Sequence, residues 1–227
     1  TADRDAKFVE AYCNRNGINY ILCSAEEDGV DVPSNASEEW ARQLRYGYFD
    51  KVCKGSNSTK IATAHTLSDQ TETVLFRLAR GGAGLRGLSG IPAMRDNYIR
   101  PFIGITRSEV EALVDYYNTS NITDETNLGD EYSRNKIRHH VIPVLKGINN
   151  NVEDAVGKTC ARIDKAYTFI HNQALRYLKD AEVGERCSEK CLKYKYDIAP
   201  FIEAYNKGEG EIVLEDMVLE VLARVGI

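Results

Sequence analysis

The sequence predicts an α/β fold: a Rossmann-like parallel sheet followed by an all-helical region. Three observations carry this. Short apolar runs, INYILC at 18–23 and KIATAH at 60–65, alternate with stretches whose apolar residues recur at helical spacing. Strand, crossover helix, strand is the rhythm of a parallel sheet. From residue 152 the period changes, and Val152, Val156, Cys160, Ile163, Tyr167 and Ile170 form one long helical stripe. Finally, 227 residues of which 43% are hydrophobic hold enough apolar material for a core. That excludes a disordered, collagen-like or mini-scaffold chain.

Taken in order, residues 2–16 read as a helix stopped by Gly17, and 18–23 as a strand. Residues 24–37, polar and containing Gly29 and Pro33, form a loop. Ala41, Leu44, Tyr48 and Val52 place a helix over 38–53, with a turn at 55–59. The buried strand at 60–65 feeds a helix capped by Thr66 or Ser68 and running to Arg80. The segment GGAGLRGLSG, 81–90, is too rich in glycine for regular structure. YIRPF at 98–102 is extended, because Pro101 disfavours helix before it. Thr106 caps a helix to Asn118, residues 119–131 are loop, and 132–145 are helical with Pro143 near the end. GINNN at 147–151 reads as a linker, which sets two domains, 1–146 and 147–227, and a last helix covers 212–225.

Composition narrows the function. No apolar run approaches the roughly 18 residues of a membrane span, and the charged opening TADRDAKF is no secretory signal. That opening has no initiator Met and enters a helical pattern at once, so the expectation is the remainder of a longer protein. Six scattered cysteines do not make a disulfide scaffold, and a reducing cytoplasm is expected. Cys187 and Cys191 form one C-x3-C pair. A structural zinc needs about four ligands and no second pair answers them, so no metal site is expected. The net charge of −5 argues against general nucleic-acid affinity. Yet residues 134–146 carry Arg134, Lys136, Arg138 and Lys146 with no acid. Such a strip can bind RNA on an acidic protein, or it is a solvated helix face.

AHTLSDQTET at 64–73 is the sharpest local signal. A strand ends at His65 and a helix begins directly after, and ligands of open α/β sheets sit at the carboxyl ends of strands. Asp69 and Glu72, three apart, share one helix face. Two carboxylates there can hold a cation, or they can complement the helix dipole. The glycine-rich segment can offer backbone N–H groups to phosphate, or it is a helix cap followed by a loop. Arg42, Arg45 and Phe49 share a helix face, from which Arg45 can reach a phosphate or make a surface ion pair. Arg134, Asn135 and Arg138 carry the same two readings.

Four blocks, in this order and spacing, resemble the tRNA(Ile)-lysidine synthetase family: EEWARQLRY, AHTLSDQTETVLFRLARGGAGLRGLSGI, YIRPFIGITRSEVE and DETNLGDEYSRNKIRHHVIPVL. The likeness covers residues 3–146 well and the remainder loosely. The family belongs to the PP-loop ATP pyrophosphatases, so the resemblance implies a PP-loop sheet whose first βα unit, with its SGGxDS loop, is absent from these residues. It implies ATP with Mg2+, free L-lysine and an isoleucine tRNA with a CAU anticodon, and it is compatible with an oligomer. On this resemblance ATP would adenylate the C2 oxygen of the wobble cytidine with release of pyrophosphate, lysine's ε-amine would attack C2, and AMP would leave. By analogy His65, Asp69 and Glu72 lie near the lysine and nucleotide. Arg45, Arg134, Asn135 and Arg138 would face the nucleotide, and Arg80, Gly81, Gly82, Gly84 and Arg86 the tRNA or a closing loop. Two alternatives remain: a tRNA-binding module without catalysis, and a related thiolase, for which the usual C-x-x-C pair is missing from the sequence.

Overall fold

A computed structural model describes residues 2–81, 84–122, 133–188, 191–207 and 210–224. In chain order its helices are α1 (Ala2–Asn16), α2 (Glu38–Gly55), α3 (Leu67–Arg80), α4 (Gly84–Leu88), α5 (Arg107–Tyr116), α6 (Ser133–Lys136), α7 (Ile142–Ile148), α8 (Val152–Ala181), α9 (Ala199–Asn206) and α10 (Gly210–Arg224). The strands are β1 (Ile61–Ala62), β2 (Met94–Arg95), β3 (Tyr98–Ile99), β4 (Glu182–Ser188) and β5 (Cys191–Tyr196). The chain divides into two compact units, Thr1–Phe76 with Ile91–Asp154, and Arg77–Gly90 with Ala155–Ile227.

In the first unit α1 stops where the sequence places the stop. Gly17 takes φ +66°, and the next N–H, of Ile18, returns to the Cys13 carbonyl at 2.9 Å. A residue with a Cβ is strained there, which is why glycine ends so many helices. The expected strand at 18–23 is corrected: these residues join no sheet, and Ile21 and Leu22 are more than half exposed. An apolar run becomes a strand only when a neighbour takes its backbone groups, and none of the described strands does. Ser37 caps α2 by accepting the Trp40 N–H at 3.1 Å.

The sheet has the order β1-β3-β2, with β1 parallel and β2 antiparallel to β3. KIATAH is thus a strand over only two ladder residues, prolonged by the Thr63 N–H donating to the Ile99 carbonyl at 3.0 Å. The single parallel pairing and the helices around it make a mixed α/β unit. The segment after β3 binds the start of α3, where the Leu67 N–H reaches the Ile105 carbonyl at 2.8 Å and the Arg107 N–H reaches the Ser68 hydroxyl at 3.0 Å. A capping box between Thr106 and Glu109 then starts α5.

The helix expected over 132–145 has a different interior. Between α6 and α7 lies a π-helical turn, Ile137–Val141, in which the Ile142 N–H donates five residues back to Ile137. Pro143 has no N–H for the four-residue ladder, so the ladder is rerouted just before it. Pro143 therefore opens α7 instead of closing a helix, and α7 continues to Ile148.

The second unit corrects two further expectations. The region from 152 is not all-helical, since β4 and β5 pair as an antiparallel hairpin, with Cys187 opposite Leu192 and Ser188 opposite Cys191. In β5 the residues from Leu192 to Tyr196 alternate apolar or aromatic with lysine, a signal overshadowed by the long stripe before it. Within the glycine-rich segment α4 forms a single helical turn over Gly84–Leu88, held by Arg77, whose guanidinium donates to the Gly87 and Gly90 carbonyls at 2.6 and 3.0 Å. The stripe on α8 is half-buried or buried throughout, and Cys160 is 2% exposed. Ala174 and Leu178 of α8, Ala204 of α9, and Val213 and Met217 of α10 form the core of this unit. Beside it the His171 imidazole meets Asp216 at 2.7 Å and stacks on Tyr167.

Candidate active site

The site grows from the junction of β1 and α3. β1 delivers the chain to His65, whose Nδ1 lies 3.0 Å from the Thr63 hydroxyl. Thr66 then caps α3. One Asp69 carboxylate oxygen accepts both the Thr66 N–H and the Thr66 hydroxyl at 2.7 Å. Asp69 therefore does what a first-turn acid does for a helix, and its other oxygen has no partner among the described residues.

Glu72, one turn on, is 3% exposed. Both of its oxygens face Arg138, with Nε donating to Oε1 at 2.6 Å and Nη2 donating to Oε2 at 3.0 Å. Arg138 comes from the π-helical turn, and the hydrogen bond to Glu72 raises its pKa further. Spacing alone put Glu72 beside Asp69 and left Arg138 among phosphate-facing residues; the fold joins Glu72 to Arg138 as a forked pair. Asn135, one turn before Arg138, is buried, and Arg134 is exposed.

Two arginines join this group. Arg42 of α2 is half-buried, donates to the Tyr46 hydroxyl at 3.3 Å and lies over that ring. Arg100 follows β3 directly and is 4% exposed. Its Nη1 donates to the Pro92 carbonyl at 2.8 Å, while its Nε has neither acceptor nor solvent. Sequence reasoning passed over Arg100, and the available signal was one charged residue inside the apolar run YIRPF. Among the described residues none of Arg42, Arg100 and Arg134 has a carboxylate within 4 Å. Guanidinium groups without counter-ions fit the phosphates of a nucleotide. The described residues contain no group of three or more His, Cys, Asp or Glu able to hold a metal. The Cys187 and Cys191 side chains lie outside those described.

Burial is the main influence lowering the His65 pKa, reinforced by the positive charges of Arg100, Arg42 and Arg134 and opposed by Asp69. The neutral imidazole is favoured. Below about pH 6.5 the unfolded chain takes up a proton on His65 that the folded chain resists. The contribution of His65 to stability is thus constant above that pH and declines as pH falls toward the folded pKa. We expect the His65 ring resonances to titrate with a midpoint below 6.5. A midpoint at or above 6.5 would show that Asp69 outweighs burial and the arginines.

The other expected residues lie elsewhere. Arg45 is exposed and lines an apolar cavity of about 730 Å³ with Tyr20, Leu22, Phe49 and Ile61. Arg80, Gly81, Gly84 and Arg86 belong to the second unit, where Gly81 and Gly84 have φ of +72° and +53° and Arg80 and Arg86 are exposed. Gly82 lies outside the described residues.

A family model described as PP-loop domain matches residues 1–145. A tRNA(Ile)-lysidine synthase of Thermotoga maritima is 41% identical over 206 residues, 88% of this chain and 46% of that protein. Proteins of the same name from Clostridioides difficile and Bacteroides thetaiotaomicron are 36% and 34% identical, covering 76% and 77% of this chain and 38% and 41% of their own lengths. The chain thus spans about half the length, or less, of the curated relatives it matches. Among the described residues, no helix is long and apolar enough to cross a membrane.

Proposed function

This chain belongs to the PP-loop domain family, and on that premise we propose that it carries the lysine-ligating part of a tRNA(Ile)-lysidine synthase. The reaction joins the ε-amine of lysine to C2 of the wobble cytidine in a CAU anticodon. The observation that carries the reading is the group formed by His65, Asp69, the Glu72–Arg138 pair and Arg134 at the β1–α3 junction, all within the blocks the family shares.

An amide-like C2 carbonyl is a poor electrophile, and ATP supplies the leaving group by adenylating its oxygen. The protein's own contribution is to bind and orient. Asp69, with one oxygen committed to the cap and one left over, receives the lysine ammonium. Glu72 acts through Arg138, holding that guanidinium in one orientation toward the ligand. Neutral His65, at the same junction, accepts a proton from the amine, which must lose one before it attacks. Arg134 and Asn135 face the nucleotide, and three reactants held in one geometry supply much of the rate. Mg2+ enters with the phosphates, which supply its ligands.

We further propose that β1 and β3 are part of a larger Rossmann-like parallel sheet. Residues 1–146 form the catalytic domain and 147–227 contact tRNA, with Arg80, Arg86 and the glycine-rich turns facing it. The cytoplasm is the proposed compartment. The test is a reaction of this chain, and of a version extended at its N-terminus, with ATP, Mg2+, lysine and a CAU-anticodon isoleucine tRNA, read by nucleoside mass spectrometry. Cytidine that gains lysine and loses water supports the reading. Bound tRNA without that product from either form overturns it in favour of a tRNA-binding module.

A further inference from the structure

Arg100 is the group in the first unit that its surroundings explain least. Its guanidinium is buried, one N–H serves the Pro92 carbonyl, and Nε faces no acceptor. Arginine does not shed its charge when buried. A buried cation without a counter-ion is costly, and buried orphan donors are rare enough to require a reason. The bond to the Pro92 carbonyl does not supply one for Nε. Location does. Arg100 follows β3, and His65 follows β1, its parallel neighbour. The Thr63 N–H bonded to the Ile99 carbonyl holds the two strand ends together. The carboxyl ends of parallel strands are where ligands of such sheets bind.

We propose that Arg100 is the buried anchor of an oxyanion site beside His65, with Arg42 from α2 and Arg134 from α6 at its rim. The ligand class is a phosphate-bearing anion. Three cations drawn from three elements, none paired with a carboxylate among the described residues, match such an anion better than any neutral group. That all three charges act on the same imidazole agrees with one shared site. The bound anion is what compensates the buried charge. This deepens the nucleotide-binding reading above and rests on it for the identity of the ligand.

The experiment uses the 227-residue chain with inorganic pyrophosphate and with AMP, two sources of the same phosphate chemistry. Calorimetry gives affinities for the native chain, Arg100→Gln and Arg100→Lys. NMR follows the Arg100 Nε–H and His65 resonances during each titration. We expect at least one anion to bind, a tenfold or greater loss in Arg100→Gln, and a smaller loss in Arg100→Lys. Saturation should move the Arg100 Nε–H and raise the His65 titration midpoint in the native chain. Stronger binding of pyrophosphate assigns the site to the leaving polyphosphate, and stronger binding of AMP to the adenylate phosphate. No binding of either, or saturation that leaves the Arg100 Nε–H unmoved, overturns the proposal even if the glutamine variant fails to fold. Anion binding through Arg100 with no lysidine formed by either this chain or its N-terminally extended version would sink the proposed function and leave this site standing. Lysidine formation with affinities unchanged in Arg100→Gln would do the reverse.

Discussion

Asp69→Asn is expected to raise the lysine concentration needed for half-maximal lysidine formation by roughly 10- to 100-fold while tRNA binding stays unchanged. The size follows from a hydrogen bond to a charged group, about 1.5–3 kcal/mol, at about 1.4 kcal/mol per factor of ten. The substitution is chosen because Asp69 has two tasks. One oxygen accepts two bonds from Thr66 and so caps α3. Asparagine keeps a carbonyl oxygen that can accept those bonds, so the helix start survives with a loss of about 1 kcal/mol or less. Only the negative charge disappears. Rates over a range of lysine concentrations, beside a melting curve for each protein, separate the tasks. A variant that melts like the native chain and needs no more lysine would show that Asp69 is only a cap.

The same residue shows what sequence can carry. Strand followed directly by helix, with acids in the first turn, was legible as residue types in order, and so were a cap at Thr66 or Ser68, the Thr106 cap and the stop at Gly17. All are set by contacts within a few positions of the chain. What could not be read was set at long range. Glu72 and Arg138 are 66 positions apart, and nothing in either neighbourhood names the other. The strand expected at 18–23 failed for the same reason, since its apolar pattern was right but pairing depends on a neighbour elsewhere. The β4–β5 pair is the opposite case: part of its signal was local, the alternation from Leu192 to Tyr196, and a longer helical pattern obscured it. Arg100 lay between these cases, because a charge in an apolar run is visible while its orphaned Nε is a property of the fold.

The pairing that sequence could not show has the larger expected effect on stability. Glu72 is nearly inaccessible and both of its oxygens are occupied by one guanidinium, so Arg138→Met leaves a carboxylate in a site built for a cation. Breaking one side of a buried pair costs about 3–5 kcal/mol, because the remaining charge loses its partner without regaining water. Replacing both sides with apolar groups of similar volume is often neutral or better. We therefore expect Arg138→Met to shift the urea midpoint far downward and Glu72→Leu with Arg138→Met to recover most of the loss. The double variant, though stable, should lose lysidine formation, since it lacks the oriented guanidinium that the proposed mechanism needs. The three denaturation curves and one activity measurement decide between two roles. Recovery of stability with activity intact would make the pair a packing device. Recovery of stability with activity lost would show that the fold tolerates the pair's removal and the chemistry does not. If Arg138→Met shifts the midpoint by the small amount typical of an exposed ion pair, under about 1 kcal/mol, the carboxylate is better hydrated than its 3% exposure implies, and the argument for Glu72 as the group that orients Arg138 fails with it.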